Sequence, residues 1–567
     1  MPIRATFARR SLAALTALAF VSAPLAFAEE SSPAAAMLDP IALRKDASAK
    51  LAARQWGEAA ALLERSCAEN PHVGVDWFDL GTARYNLKEW DAAIAAYSRA
   101  LDLRAGFPSV SAYNIACCEA LKGDEEKALE WIGRALDLGF RNLESIRDDD
   151  DFASLRGDER FRRLVGLFDP SGLSRDEGWR ADLALLAREI ARLHYDPFRL
   201  FPRAEFDAEV KRIHDSIPAL SDNEISVAMA RLVARVGDGH TSLAPRAAFS
   251  GEKAGLPVQF YLFPEGLHVI AADPRFRDLV GARVLRCGAH PAEKAVREVQ
   301  TLLCRDNEMT LHWLAPQVLR MPGALNGLGL VPSDKSVELT VADEGGRERT
   351  VALPADSGGP DDTWIELCDL APAPLPLYLK DRESNYWFEH VPGRKLVYCQ
   401  YNRVRNDPKE PIEAFAKRLF RYIEEHDDVE KLVLDMRHNN GGNNFLNRPL
   451  VEGLMRSDKI NVRGRLFVIV GRNTFSAAMC GAAQIERHTN AIFVGEPTGS
   501  SPNFIGESVE MTLPFSRQWV SISDLYWQNS VAMDYRTWIA PRLHAPPAIG
   551  AARANRDPAM EAILALP

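Results

Sequence analysis

Residues Leu466–Gln484 read LFVIVGRNTFSAAMCGAAQ. The five apolar residues Leu466 to Val470 predict a short strand covered on both faces, because a continuous apolar run bounded by turn residues suits a fully buried strand. Gly471, Arg472 and Asn473 supply a turn, and from Thr474 the composition changes to Ala, Met and Gly, which predicts a helix. Ser476 therefore falls where a strand tip passes into a helix N-terminus. Unpaired N–H groups and the positive end of the helix dipole gather at such a point and stabilise an alkoxide or oxyanion. That placement suits a nucleophile. It equally suits a cap, since Thr474 or Ser476 can accept a hydrogen bond from the first helical turn. The run lacks the G-x-S-x-G pattern, so an α/β-hydrolase elbow is not the first expectation.

Lys431–Met436 (KLVLDM) predicts a second buried strand, followed by Arg437-His438-Asn439-Asn440-Gly441-Gly442. Paired glycines after a strand let the backbone approach a ligand closely and aim N–H groups at it. A phosphate loop is the rival reading, but no G-K-[ST] follows and neither glycine begins a G-x-G-x-x-G run. A third stretch, Val236-Gly237-Asp238-Gly239-His240-Thr241, sets a histidine in a Gly-rich turn after a helical segment. By itself His240 reads as a loop histidine or as a catalytic base.

Taken together, the three stretches resemble the tail-specific (C-terminal-processing) serine proteases, including their tricorn-like branch. The resemblance rests on Asp238-Gly239-His240-Thr241, on the Asp-x-Arg-x-Asn-x-Gly-Gly run at 435–442, and on Thr474-Phe475-Ser476-Ala477. Gly495-Glu496-Pro497-Thr498-Gly499 adds a turn similar to the family's Gly-Glu-x-Thr. The match covers most of residues 175–550.

The 567 residues allow about three or four domains. With 47% hydrophobic and 26% charged residues the composition is globular rather than disordered. Arg4, Arg9 and Arg10 precede the apolar run Leu12–Val21, and Ala26-Phe27-Ala28 offers small residues for cleavage before Glu29. Residues 1–28 thus read as a secretory signal peptide, too short to span a bilayer, which takes ~20 apolar residues. A periplasmic or extracellular protein is expected, with no membrane span. Removing that segment takes away three arginines and no acid from a chain of formal charge −10. Such an acidic chain argues against nucleic acid or an anionic membrane as partner. The eight cysteines show no C-x-x-C spacing, so neither disulfide pairing nor a metal site can be assigned, and no cofactor is expected.

Residues 40–140 repeat. Trp56 and Trp90 are 34 apart, as are Ala59 and Ala93, and Ala100-Leu101-Asp102-Leu103 returns as Ala135-Leu136-Asp137-Leu138. This period marks tetratricopeptide repeats, expected over 40–168 with their closing helices. The array is expected to hold a protein partner or to act as a spacer. Asp169-Pro170-Ser171-Gly172 reads as a linker. Helical periodicity over 175–250 predicts a lead-in that delivers the Gly-His-Thr turn. Residues 253–355 are β-rich and resemble a PDZ domain, with Gly255 and Leu256 in the place of a carboxylate-binding loop and Thr301–Pro332 as an insertion. From 362 to 567 strands alternate with helices, which predicts an α/β layered core. The resemblance makes that core a spiral ββα arrangement.

The resemblance also implies a mechanism. Many tail-specific proteases use a lysine beyond the serine, but this chain has no lysine after Lys459. The tricorn-like branch uses a histidine, which maps onto His240 as the base for Ser476. The family oxyanion hole maps onto the N–H groups of Ala477 and of Gly441 or Gly442. The tricorn serine before the histidine is Gly239 here, so Asp534 and Glu496 are the candidates to orient His240. The expected activity is that of a serine endopeptidase acting on peptide or protein substrates. The rivals are an inactive relative that binds a hydrophobic ligand, as the interphotoreceptor retinoid-binding modules do, and a repeat-based scaffold.

Overall fold

The computed structural model describes residues 40–166, 170–243, 255–356, 363–371 and 373–566. The expected signal peptide and the cleavage point before Glu29 lie outside these residues, as do Asp169 and residues 244–254. No helix among the described residues is long and apolar enough to cross a membrane.

The chain divides into two compact units between Cys118 and Glu119. In the first, the helices Pro40–Ala52, Trp56–Glu69, Gly74–Asn86 and Trp90–Asp102 follow one another across short turns. Trp56 and Trp90 each open a helix. Ala59 and Ala93, one period apart, are both fully buried. At Gly81 a β-carbon would lie 2.6 Å from the Tyr97 ring, so this close crossing needs glycine. The unit ends well before residue 168, where the repeat array was expected to close. The reason lies in the second unit. Arg192 donates to the carbonyls of Leu136 and Phe140, and Arg188 to that of Arg163. Those bonds tie the helices after residue 119 to the helix Arg175–Leu193.

Two helices of the lead-in, Arg175–Leu193 and Asp222–Ala234, begin with capping boxes, Ser174 with Glu177 and Ser221 with Glu224. The β-rich segment builds an antiparallel sheet in the order Val258–Phe263, Gly266–Ala272, Arg283–Cys287, Ser336–Ala342, Glu348–Pro354. Its expected insertion folds as the helices Glu308–Val318 and Pro322–Gly327. Lead-in and β-rich segment were expected as separate domains. They share one core instead, in which Trp179, Ile190 and Met229 are buried together with Val269, Val284 and Val337.

The last third carries a six-stranded sheet in the order Leu543–His544, Ile492–Gly495, Leu466–Val470, Lys431–Asp435, Leu396–Tyr401, Tyr386–Val391. All neighbours are parallel except the final antiparallel pair. Leu466, Val468 and Val470 pack on one face under the helices Ile412–Glu425, Arg448–Arg456 and Ala477–His488. Phe467 and Ile469 pack on the other face with Met560 and Ile563 of Pro558–Leu564. A strand covered on both sides has no polar positions to alternate with, hence the unbroken apolar run. Two small antiparallel sheets follow, and Val509–Thr512 pairs with Trp519–Ile522 in the first. Ser242–Leu243 pairs with Trp519–Ile522, and Asn503–Gly506 pairs with Leu525–Gln528.

Candidate active site

Ser476 stands at the N-cap of the helix Ala477–His488 with φ +51° and ψ −127°. A side-chain-bearing residue adopts that conformation only at a cost of about 1–3 kcal/mol, and such strain collects at functional turns. Its hydroxyl makes no capping bond. The neighbouring Thr474 does not cap the helix either. Its hydroxyl donates to Met436 O at 3.0 Å and accepts from Gly471 N–H at 3.1 Å, which ties the turn to the tip of the adjacent strand. The tight strand-to-helix turn at Ser476 is thus formed without a G-x-S-x-G sequence.

Gly441 lies directly against the serine. A β-carbon there would fall 2.8 Å from Ser476 Cβ and 2.9 Å from Ala477 N. The fully buried Asn439 holds the two loops together. Its Oδ1 accepts from Gly441 N–H at 3.0 Å, its carbonyl from Phe475 N–H at 3.2 Å, and its Nδ2 donates to Tyr401 O at 2.9 Å. Of the two glycines, Gly441 therefore spends its N–H within the loop. Gly442 lies alongside Val404, through Val404 N–H to Gly441 O and Asn443 N–H to Val404 O, both 2.8 Å. Neither of those bonds uses the Gly442 N–H.

His240 arrives from the other end of the sequence. The ladder Ser242↔Ser521, Leu243↔Val520 anchors its turn. Its imidazole is sandwiched between Phe475, at 4.5 Å between ring centroids, and Phe504, at 5.4 Å. Both ring nitrogens are shut off from solvent and have no hydrogen-bond partner among the described residues. Burial pushes its pKa down to about 4, against a smaller opposing pull from Asp238. No hydrogen bond joins His240 to Ser476, although the histidine stacks on the residue next to the serine.

Asp238 accepts from the backbone N–H groups of His240 at 2.8 Å and Thr241 at 2.7 Å, and from Ser523 Oγ at 2.7 Å. Its other oxygen takes His194 Nε2 at 2.9 Å. Asp196 N–H donates to His194 Nδ1 at 3.0 Å, which places the histidine proton on Nε2. Burial would raise the Asp238 pKa, but the bonds from His194, Ser523 and the His240 amide outweigh it and hold it at about 2.

The two carboxylates expected to orient His240 are engaged elsewhere. Glu496 is buried against Arg472 through two 2.8 Å bonds. Asp534 pairs with Arg536 at 2.9 and 2.8 Å, and Arg536 also grips Glu486. That pairing holds the Asp534 carboxyl far below its usual range. With both filled by arginine, neither is left to serve an imidazole. Asp534→Asn is therefore expected to leave the reactivity of Ser476 within about twofold, where loss of an orienting acid in a triad costs on the order of 10⁴. Labelling rates with a fluorophosphonate probe distinguish the two. Leu256 is likewise diverted. It is fully buried and its N–H donates to Arg320 O at 2.8 Å, so the expected carboxylate-binding role of Gly255-Leu256 loses one of its donors.

A cavity of about 350 Å³ opens beside the serine loop. It is lined by Tyr261, Trp313, Tyr378, His438, Arg472 and Asn473 among others, but by neither Ser476 nor His240. Trp313 links the two places, because its ring also meets Phe475 at 5.5 Å.

No family model matches the sequence. Solved structures similar to this chain include mature CPAF complexed with lactacystin, 13% identical, covering 68% of this chain and 97% of that one with a TM-score of 0.48. The photosystem II D1 C-terminal processing protease is 13% identical over 69% of this chain and 97% of its own, with a TM-score of 0.34. The tricorn protease is 12% identical over 69% of this chain and 36% of its own, with a TM-score of 0.32.

Proposed function

We propose that the protein is an exported serine peptidase of the tail-specific kind that its motifs resemble, with Ser476 as nucleophile and His240 as base. The observation that carries this reading is the strained Ser476, set at a helix N-terminus against Gly441 and one residue from the ring that stacks on His240. In the reaction, Ser476 Oγ attacks the scissile carbonyl carbon and its proton passes to His240. The Ala477 and Gly442 N–H groups receive the oxyanion. Collapse expels the amine, which takes its proton from His240, and water then hydrolyses the acyl-enzyme by the same steps in reverse. Catalytic hydrogen bonds commonly tighten only with substrate in place, and the imidazole nitrogens are unengaged and ready for one. The test is labelling of Ser476 by a fluorophosphonate probe, located by peptide mapping. Failure of the intact protein to label, with catalytic turnover absent on unfolded polypeptide, sinks the reading.

A pH dependence follows. The base must be neutral, and burial lowers the pKa of His240 to about 4. The main acid limb of the labelling rate should therefore lie near pH 4, where a solvent-exposed imidazole would place it near ~6.5. A limb centred at the ordinary value would show that His240 is not the base or is not buried in solution. Export belongs to the same proposal, and N-terminal sequencing of secreted protein should begin at Glu29.

The cavity beside Trp313 favours a second reading, an apolar-ligand binder whose core has no turnover. In that case an apolar fluorophore binds Ser476→Ala and parent protein with the same affinity, and the parent never labels with the fluorophosphonate probe.

A further inference from the structure

We propose that Asp306 is a positioning residue for His240, fixing the turn that presents the imidazole to the serine; this rests on the peptidase reading above. Among the described residues the His240 ring has no hydrogen-bond partner, so its place is set by its two aromatic neighbours and by the backbone that carries it. Three consecutive N–H groups of that backbone are held by the carboxyl groups of the buried Asp238 and the half-buried Asp306. Asp238 takes His240 and Thr241, and Asp306 Oδ1 takes Gly239 at 2.8 Å. The other Asp306 oxygen is bonded by Ser500 Oγ.

Gly239 is glycine because of this contact. A β-carbon there would lie 2.9 Å from Asp306 Cγ and 2.9 Å from the edge of Phe475, the ring on which His240 stacks. Asp306 thus touches the histidine's turn from the side of the serine loop. It is itself fastened from behind. Asn307 Nδ2 donates to Thr498 O at 3.1 Å and Thr537 O at 2.6 Å, and Thr310 Oγ1 donates to Gly499 O at 2.6 Å. The segment 306–310 is therefore a brace between the His240 turn and the 498–501 loop.

The brace also carries charge. Burial pushes the Asp306 pKa up to about 7, with Asp238 adding to the rise and Ser500 and the Gly239 amide opposing it. The ionisable groups around it are Asp238 on the turn and Cys304 and Arg305 on its own segment, with Cys304 Sγ bonded to Gly239 O at 3.5 Å. Ionised, Asp306 accepts more strongly from the Gly239 amide and so holds the histidine's turn more firmly. Reactivity should accordingly show a second, smaller inflection near pH 7, above the main limb.

The test uses full-length protein and a fluorophosphonate probe between pH 5 and 9. Asp306→Ala should lower the labelling rate on the order of 10- to 100-fold, as misplacement of a catalytic group does. Asp306→Asn keeps an acceptor for Gly239 N–H and should recover most of that loss, but without the inflection near pH 7. Labelling of Asp306→Ala at the parent rate, or an Asn variant that keeps the inflection, overturns the proposal. If Asp306→Ala does not fold, the Asn variant decides alone. Should the parent protein fail to label, the peptidase reading falls, and the inference is judged on the imidazole itself. In selectively histidine-labelled protein, the His240 ring shifts should step near pH 7 and lose that step in Asp306→Asn; superimposable curves refute it.

Discussion

Ser476→Ala protein is expected to lose fluorophosphonate labelling and peptide hydrolysis entirely while unfolding at the same denaturant concentration as the parent. Removing the nucleophile of a catalytic unit costs on the order of a million-fold in turnover. The stability change should stay within about 0.5 kcal/mol, because the hydroxyl makes no capping bond and alanine at φ +51° is as strained as serine. His240→Ala should lose a comparable factor, with the double variant little worse than either single one. Ser476→Gly gives the complementary result. It is equally inactive, yet it relieves the backbone and should unfold about 1 kcal/mol later, after the greater chain entropy of glycine is subtracted. Hydrolysis by the alanine variant would remove Ser476 from the reaction. A glycine variant less stable than the parent would mean that the turn at 476 holds no strain.

The distribution of that strain explains what the sequence could and could not disclose. The strand Leu466–Val470 was legible because burial on both faces leaves a five-residue apolar signature. The position of Ser476 at the strand-to-helix passage was legible for the same local reason. Its positive φ was not, since the conformation is imposed by Thr474 reaching Met436 and by Asn439 reaching Phe475, contacts made across the sheet. The paired glycines were visible, but which of them spends its N–H within the loop depended on Asn439, whose side chain folds back on its own loop.

Long-range pairings were the harder part. Nothing near His240 announces Phe504, and nothing in the loop around residue 306 marks Asp306 as belonging with Gly239. Position alone favours Asp534, yet Arg536 two residues on is a local sign of its partner. Glu496 gave no such sign, because Arg472 lies on the neighbouring loop. The expectation of separate lead-in and β-rich domains failed for a similar reason. Hydrophobic periodicity shows that a segment has a buried face, but not which other segment covers it. Here the two cover each other.

Gly441→Ala is the substitution that should damage both stability and chemistry while leaving Ser476 and His240 untouched. The residue sits at φ +115°, a region closed to side-chain-bearing residues, so any β-carbon brings strain of about 1–3 kcal/mol. The added methyl would also meet Ser476 Cβ at 2.8 Å, Ala477 N at 2.9 Å and Phe475 O at 3.2 Å. None of these is the free end of a flexible side chain. Relief requires the serine loop to move away, against the bonds from Asn439 and Thr474 that hold it. Overpacking of this kind adds about 1–3 kcal/mol, for a total of roughly 2–6 kcal/mol. The displacement falls on the nucleophile and on the Ala477 N–H together, so labelling should drop on the order of 100-fold or more. Gly464→Ala is the control. Its φ of +86° is also positive, but no atom lies within 4 Å of the new methyl, so it should lose only the backbone share of the stability and none of the labelling. Equal labelling of the parent and the Gly441 variant would show that the two loops do not touch in solution. An equal stability loss in the two glycine variants would show that conformation alone, and not the approach of Gly441 to Ser476, sets the cost.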